Sequence, residues 1–325
     1  MPIENCQATA YICQIILSQI KILQEEAFGA RTSEDPEYVH QCRVASRRLR
    51  AALQIFSPWF SPNDLKRWNK VTGKITKALG LARDTDVQII FIQKWIIDHP
   101  TPGAKRFLLR LLQKRVKYQQ NVIEIANNIE TGNAFMHFTN KMSSTSTISS
   151  FSELSGEESF DNEIKPVLLD LTHKLLAHEI YVNDNPDENN QYDKLHEMRI
   201  MAKKLRYALN LTNEAFDNCF NEEIKVVKNI QELLGDLHDS DVWISELPLF
   251  IKEEKELMIK YAGNSRGFKR ISNGIDEIMN DRLLSRNDII DNFRLYWKDS
   301  KKKQVWKTLI DKINNAKSIM VKNND

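Results

Sequence analysis

The sequence is short of the residues that break and turn a chain. Its 325 positions hold only ten glycines and nine prolines. A many-stranded sandwich or barrel needs a turn every few residues, so that architecture is disfavoured and helices are expected. The four cysteines (Cys6, Cys13, Cys42, Cys219) include no Cys-x-x-Cys pair and no zinc or disulfide spacing, which fits a reducing compartment. Long apolar runs are also missing. The stretch from Ile12 to Leu23 is interrupted by Gln14, Ser18, Gln19 and Lys21, so it reads as a buried helix and not a membrane span. The start, Met1-Pro2-Ile3-Glu4-Asn5, lacks the basic beginning of a signal peptide. A soluble cytoplasmic protein with no membrane partner is expected. Nor is there an excess of one charge: 46 Lys+Arg face 44 Asp+Glu, a net of +2. The molecule as a whole exerts no strong pull on polyanions, and a basic site must arise from local clustering.

What is present is a series of long segments with apolar residues three and four apart. They predict helices over roughly 5–28, 37–56, 62–79, 84–98 and 103–127. A second series covers roughly 161–182, 192–214, 219–234, 239–262, 267–283 and 287–318. Breakers fall between several of these: Gly29 to Pro36, Ser57-Pro58, Pro100 to Gly103, and Asn183 to Asn190. The stretch 141–160, with its run from Ser143 to Thr147, reads as a mobile Ser/Thr-rich connector, with a short helix near Ala134 to Phe138 left open.

Two motifs recur in order. His40-Gln41-Cys42-Arg43 through Arg47-Arg48-Leu49-Arg50 returns as His196-Glu197-Met198-Arg199 through Lys203-Lys204-Leu205-Arg206. Gly80-Leu81-Ala82-Arg83-Asp84-Thr85-Asp86-Val87 returns as Gly235-Asp236-Leu237-His238-Asp239-Ser240-Asp241-Val242, at nearly the same distance downstream. A weaker echo sets Gly103-Ala104-Lys105-Arg106 against Gly267-Phe268-Lys269-Arg270. Such ordered recurrence implies an internal duplication. The expected division is a first helical half at 1–128, a connector at 129–160, a second half at 161–283 and a basic helical tail at 284–325.

On a helix, His40, Arg43, Arg47 and Arg50 fall within an arc of about 80°. Cys42, Ala45, Leu49, Ala52, Leu53 and Phe56 lie opposite, facing a core. His196, Arg199, Lys203 and Arg206 form the same stripe in the second copy. Neither stripe contains an acid, and like charges one turn apart cost about 0.2–0.5 kcal/mol per pair. The arrangement is unfavourable unless an anion offsets it. Two related halves can set both stripes on one groove, where converging Arg forks and Lys charges suit an extended phosphate polymer. Each histidine either donates to a phosphate or orders the first turn. The Gly-x-x-x-Asp-x-Asp-Val segments read first as a helix stop at Gly80 or Gly235, with Asp84 or Asp239 capping the next helix. Two alternatives stay open: a divalent cation on Asp84, Asp86, Asp239 and Asp241, or carboxylates that hold nearby Arg or Lys in place.

These residues resemble the CHAD family, the conserved histidine α-helical domain: His-x-x-Arg, a basic pair followed by Leu-Arg, then Leu-Gly-x-x-(Arg/His)-Asp-x-Asp, in both halves up to about residue 283. The resemblance implies an all-α fold of two pseudo-symmetric antiparallel helical bundles sharing a central basic pocket. It also implies non-enzymatic binding of inorganic polyphosphate, with no cofactor, metal or catalytic residue. The pocket residues it implies are His40, Arg43, Arg47 and Arg50 with His196, Arg199, Lys203 and Arg206. Arg48 and Lys204 are placed on the rim, and Lys105, Arg106, Lys269 and Arg270 are secondary contributors. Polyphosphate-associated proteins are the implied partners, and polyphosphate granules the implied location. Two departures stand out. The Glu-x-Glu-x-Lys run of a triphosphate-processing barrel is missing, and Lys203-Lys204 replaces the arginine pair of the first half. The tail from Arg286 to Asp325 carries ten Lys+Arg against five Asp+Glu, with Trp297 and Trp306, and reads as a packed amphipathic helix.

Two other functions compete. Nucleic-acid binding draws on the basic stripes but lacks interleaved aromatics for stacking. A metal-dependent phosphohydrolase draws on His238-Asp239, yet Arg83 stands at the equivalent place in the first copy. There is also no phosphate loop and no His-Glu-x-x-His motif.

Overall fold

The computed structural model describes residues 6–32, 35–149, 157–183 and 188–319. Among them every regular element is helical. The first group is α1 (Cys6–Thr32), α2 (Pro36–Ile55), α3 (Pro62–Asp98), α4 (Pro102–Thr131) and α5 (Asn133–Ser149). The second is α6 (Glu157–Leu176), α7 (Ile180–Asn183), α8 (Glu188–Thr212), α9 (Asn221–Ala262), α10 (Phe268–Lys302) and α11 (Val305–Asn315). Single 3-10 turns follow α2 and α6.

Three prolines open helices, at Pro36, Pro62 and Pro102, while Pro166 and Pro248 lie inside α6 and α9. Asp35, Ser61 and Thr101 each precede a proline, and each side chain accepts from a backbone N–H of the first turn of α2, α3 and α4. Proline at that position gives up a donor that would be orphaned anyway. Between α9 and α10 the chain reverses through Gly263 and Gly267, at φ +69° and +77°, a backbone region costly for any other residue.

Besides a break that falls at 303–304 and not at 284–286, and a 3-10 turn that divides 161–182, three boundaries differ from the sequence expectation. The helices expected at 62–79 and 84–98 are one helix, α3, and those at 219–234 and 239–262 are one helix, α9. Gly80 and Gly235 therefore lie mid-helix and stop nothing. The third difference is α5: residues 133–149 of the expected connector are helical. Phe135, Phe138 and Met142 are buried, and Phe138 stacks on Trp68 at 4.6 Å. The remainder of the connector at 150–156 lies outside the described residues, as do parts of the breakers near 33–34 and 184–187 and the tail end at 320–325.

One apolar core runs through both groups, from Ile12, Ile16 and Leu49 to Leu205, Ile230 and Trp297. A smaller core forms between α3, α4, α9 and α10 around Ile92, Phe107, Trp243 and Ile275. There α4 and α10 cross closely. A Cβ on Gly103 would lie 2.2 Å from the Ile271 carbonyl oxygen, and one on Gly274 would lie 2.4 Å from Thr101 Oγ1. The groups also meet where α2 packs on α8.

Candidate functional site

Helices α2 and α8 carry the two basic stripes, and both stripes reach one cavity of about 810 Å³. Arg43, Arg47 and Arg50 enter from α2; Arg199, Lys203 and Lys204 enter from α8. Each helix turns its opposite, apolar side inward, with Cys42, Ala45 and Leu49 buried on α2 and Met198, Ala202 and Leu205 on α8. Amphipathicity thus fixes which side of each helix is left for the cavity. Lys114 of α4 supplies a seventh cation.

Three carboxylates share the lining: Asp84, Asp239 and Glu246. Asp84 pairs with Arg43 Nη2 at 3.1 Å, and Glu246 accepts from Gln88 at 3.0 Å. Seven cations against three acids leave the cavity positive although the chain is nearly neutral.

The Gly-x-x-x-Asp-x-Asp segments acquire a structural meaning here. A Cβ on Gly80 would sit 2.6 Å from Arg43 Nη1, so the missing side chain is the space through which Arg43 crosses α3 to Asp84. Gly235 faces Arg199 too, but with Nε at 3.9 Å from the ideal Cβ position, an ordinary contact. The second aspartate of each copy is tied elsewhere. Asp86 accepts from Arg115 Nε of α4, and Asp241 accepts from Arg286 Nε of α10, each at 2.6 Å. Of the readings open at the sequence level, the carboxylates that position arginines match this geometry. The turn-and-cap reading is corrected by the continuity of α3 and α9. Among the described residues no group of three His, Cys, Asp or Glu side chains is arranged to hold a metal ion.

Burial and crowding set the titration of the site. Burial, then Arg47, Arg199, Arg43 and Arg50, bring the Lys203 ammonium down to about 7. Burial likewise lowers Arg47 and raises Asp239. The Nε atoms of Arg47 and Arg50 are buried without a hydrogen-bond partner. An unsatisfied buried donor costs about 1–3 kcal/mol, and a charged one more.

The other expected residues are distributed unevenly. Lys204, placed on the rim from its helical angle, lines the cavity, whereas Arg48 is exposed outside it. Arg206 is not part of the lining; its guanidinium lies 5.4 Å from the Tyr207 ring, and its buried Nε has no partner. The two histidines also stand outside the lining. His40 Nδ1 is buried without a partner, and burial followed by Arg83 lowers its pKa. His196 Nδ1 lies 3.1 Å from His238 Nδ1, and burial followed by Arg199 takes His238 down to about 4. Lys105, Lys269 and Arg270 are exposed and are not brought to the cavity. Arg106 is taken by Glu254, whose buried carboxylate also accepts from Arg110. Their suggested echo was out of register. The equivalent ion pairs set Arg115 against Arg286, and the same spacing sets Gly103 against Gly274, the two glycines of the α4–α10 crossing.

Several lining residues carried no sequence signal. Lys114, Tyr118, Tyr207 and Trp243 belong to neither motif, and only the packing of α4, α8 and α9 brings them in.

Comparison with known proteins bears on the fold and the family. No curated protein sequence matches the chain. A solved structure described as the CHAD domain from the plant Ricinus communis superposes with a TM-score of 0.60 at 19% identity, covering 89% of this chain and 90% of that one. PptA from Streptomyces chartreusis superposes at 0.59 with 11% identity, covering 89% and 99%. These likenesses establish the fold. The family model described as the CHAD domain matches residues 14–248, more than two thirds of the chain, and both basic stripes with both Gly-x-x-x-Asp-x-Asp segments fall inside that match, so the chain belongs to the CHAD family.

Proposed function

We propose that the protein binds inorganic polyphosphate in the α2–α8 cavity and has no catalytic role there. The observation that carries this reading is the convergence of seven Lys and Arg side chains on one cavity in a chain of net charge +2. Arginines aimed at one another are unfavourable without an anion, and phosphate oxygens are the acceptors that the partnerless Nε atoms of Arg47 and Arg50 lack. A polymer is favoured over a single small anion because the cations enter from three helices around a ligand-sized space. The polar groups of the lining are mostly donors, and Asp84 and Glu246 are already engaged by Arg43 and Gln88. Such a module would carry the protein to polyphosphate granules or bring polyphosphate-associated partners together.

The test is charge reversal at Arg43, Arg47, Arg199 and Lys203 together, with folding followed by circular dichroism. Polyphosphate affinity should fall roughly a hundredfold or more, since each neutralised phosphate contributes through counterion release. Unchanged affinity in the folded variant would refute the site. Displacement of long-chain polyphosphate by RNA at equal phosphate concentration would instead make nucleic acid the ligand.

A further inference from the structure

Lysines are poor acyl acceptors at neutral pH because the ammonium keeps its proton. Several partly buried lysines here are paired with acids: Lys312 donates to both Glu223 oxygens, Lys165 pairs with Asp161 and Lys194 with Glu197. Lys203 is built differently. It lines the cavity together with Arg43, Arg47 and Arg50 of α2 and Arg199 of α8, and after burial those four guanidiniums are the charges that lower its pKa. Asp84, Asp239 and His238 line the same open cavity from the facing helices α3 and α9.

We propose that Lys203 is a site of covalent acylation by acyl phosphates, with the surrounding guanidiniums holding the phosphate end while Nζ takes the acyl group. The proposal rests on the reading of this cavity as a phosphate site. In the step, the lone pair of neutral Nζ attacks the carbonyl carbon and forms the C–N bond. The bond from that carbon to the phosphate oxygen breaks, and the displaced amine proton leaves with the phosphate as hydrogen phosphate. No oxidant or further reactant is needed. Burial and the crowding of cations bring its ammonium down to about 7, so far more of Lys203 is free amine at neutral pH than of an ordinary lysine, where it is roughly one in a few thousand. A neighbouring cation and a sheltered site activate an amine in this way. The product is a neutral amide, so acylation removes a cation from the centre of the cavity and weakens it as an anion site.

Lys204 is the internal reference, an exposed neighbour in the chain that lines the same cavity. The purified protein would be treated with acetyl phosphate at pH 7 and acetylation of each lysine followed in time by peptide mass spectrometry. Lys203 should react at least about tenfold faster than Lys204. Tripolyphosphate should slow Lys203 while leaving the surface lysines Lys66 and Lys70 unaffected, and the acetylated protein should bind tripolyphosphate as weakly as the variant Lys203→Gln. Lys203 reacting no faster than Lys204 would overturn the proposal. Fast labelling of Lys203 without protection by tripolyphosphate would leave the reactive amine standing and sink the polyphosphate reading of the pocket.

Discussion

At the scale of single residues, the cavity is a set of charges held in unfavourable company, and Lys203 is where this becomes measurable. Its folded pKa of about 7 lies below the ordinary value near 10.5. Below pH 7 both the folded and the unfolded chain hold the proton, and the folded state bears the full cost of the buried charge. Between about 7 and 10.5 the unfolded chain keeps a proton that the folded chain has shed. The contribution of Lys203 to stability therefore rises with pH across that window, by at most about 1.4 kcal/mol per unit. An anion beside Nζ reverses the shift, so polyphosphate binding above pH 7 should take up about one proton and weaken as pH rises. Calorimetry at pH 8 in buffers of different protonation heat measures that uptake. Lys203→Arg should abolish it, and a wild-type uptake of zero would show that the anion does not sit beside this amine. Burial is also the first cause that lowers His40 and His238, so without an anion both favour the neutral form. None of this was visible in the sequence, where Lys203 was only an Arg-to-Lys departure, because its pKa depends on burial and on arginines of a different helix.

At the scale of elements, helical periodicity made nearly every helix legible, and the two false breaks beside the recurring motifs, in α3 and α9, share one cause. Glycine usually marks a helix end, at a cost of about 1 kcal/mol against alanine inside one. Gly80 and Gly235 sit inside α3 and α9; Gly235 only touches Arg199 at ordinary contact distance, whereas Gly80 provides clearance for Arg43 of the facing helix. That requirement is tertiary and leaves no local trace. The Ser/Thr run hid α5 for a related reason: its buried side is carried by Phe135, Phe138 and Met142, spaced three and four apart within a polar stretch. The two glycines give unequal predictions. In Gly80→Ala the new methyl group displaces the Arg43 guanidinium from Asp84, so tripolyphosphate affinity should fall about tenfold while helix propensity rises by about 1 kcal/mol. In Gly235→Ala the nearest side-chain atom is at an ordinary contact distance, so the protein should gain thermal stability with binding intact. Equal binding losses in both variants, read by titration beside melting curves, would mean that the clearance at Gly80 has no special part in placing Arg43.

At the scale of the whole molecule, the basic stripes could be read from spacing, but their meeting in one cavity could not, because it depends on how α2 lies against α8. That contact is set by a core continuous through both groups of helices, and the C-terminal tail belongs to it. Ile290, Phe293 and Trp297 of α10 are buried, and α11 adds Trp306, Leu309 and Ile313, with the Trp297 and Trp306 ring centroids 5.2 Å apart. Lys312 of α11 also donates to the buried carboxylate of Glu223 on α9. The tail reads from its sequence as a packed amphipathic helix, and its apolar stripe is indeed what holds it in place. Fully burying a large apolar side chain is worth about 1.5–3 kcal/mol. Three such side chains together with an orphaned Glu223 approach the whole stability of a typical domain, about 5–15 kcal/mol. Truncation after Lys303 should therefore abolish the cooperative thermal transition and with it polyphosphate binding, although every cavity residue remains in the chain. Multiple Lys→Gln changes on exposed tail positions, at Lys301, Lys302 and Lys307, should leave both intact. A truncated chain that melts like the full protein but binds more weakly would reverse this account and make the tail a ligand contact, not a part of the core.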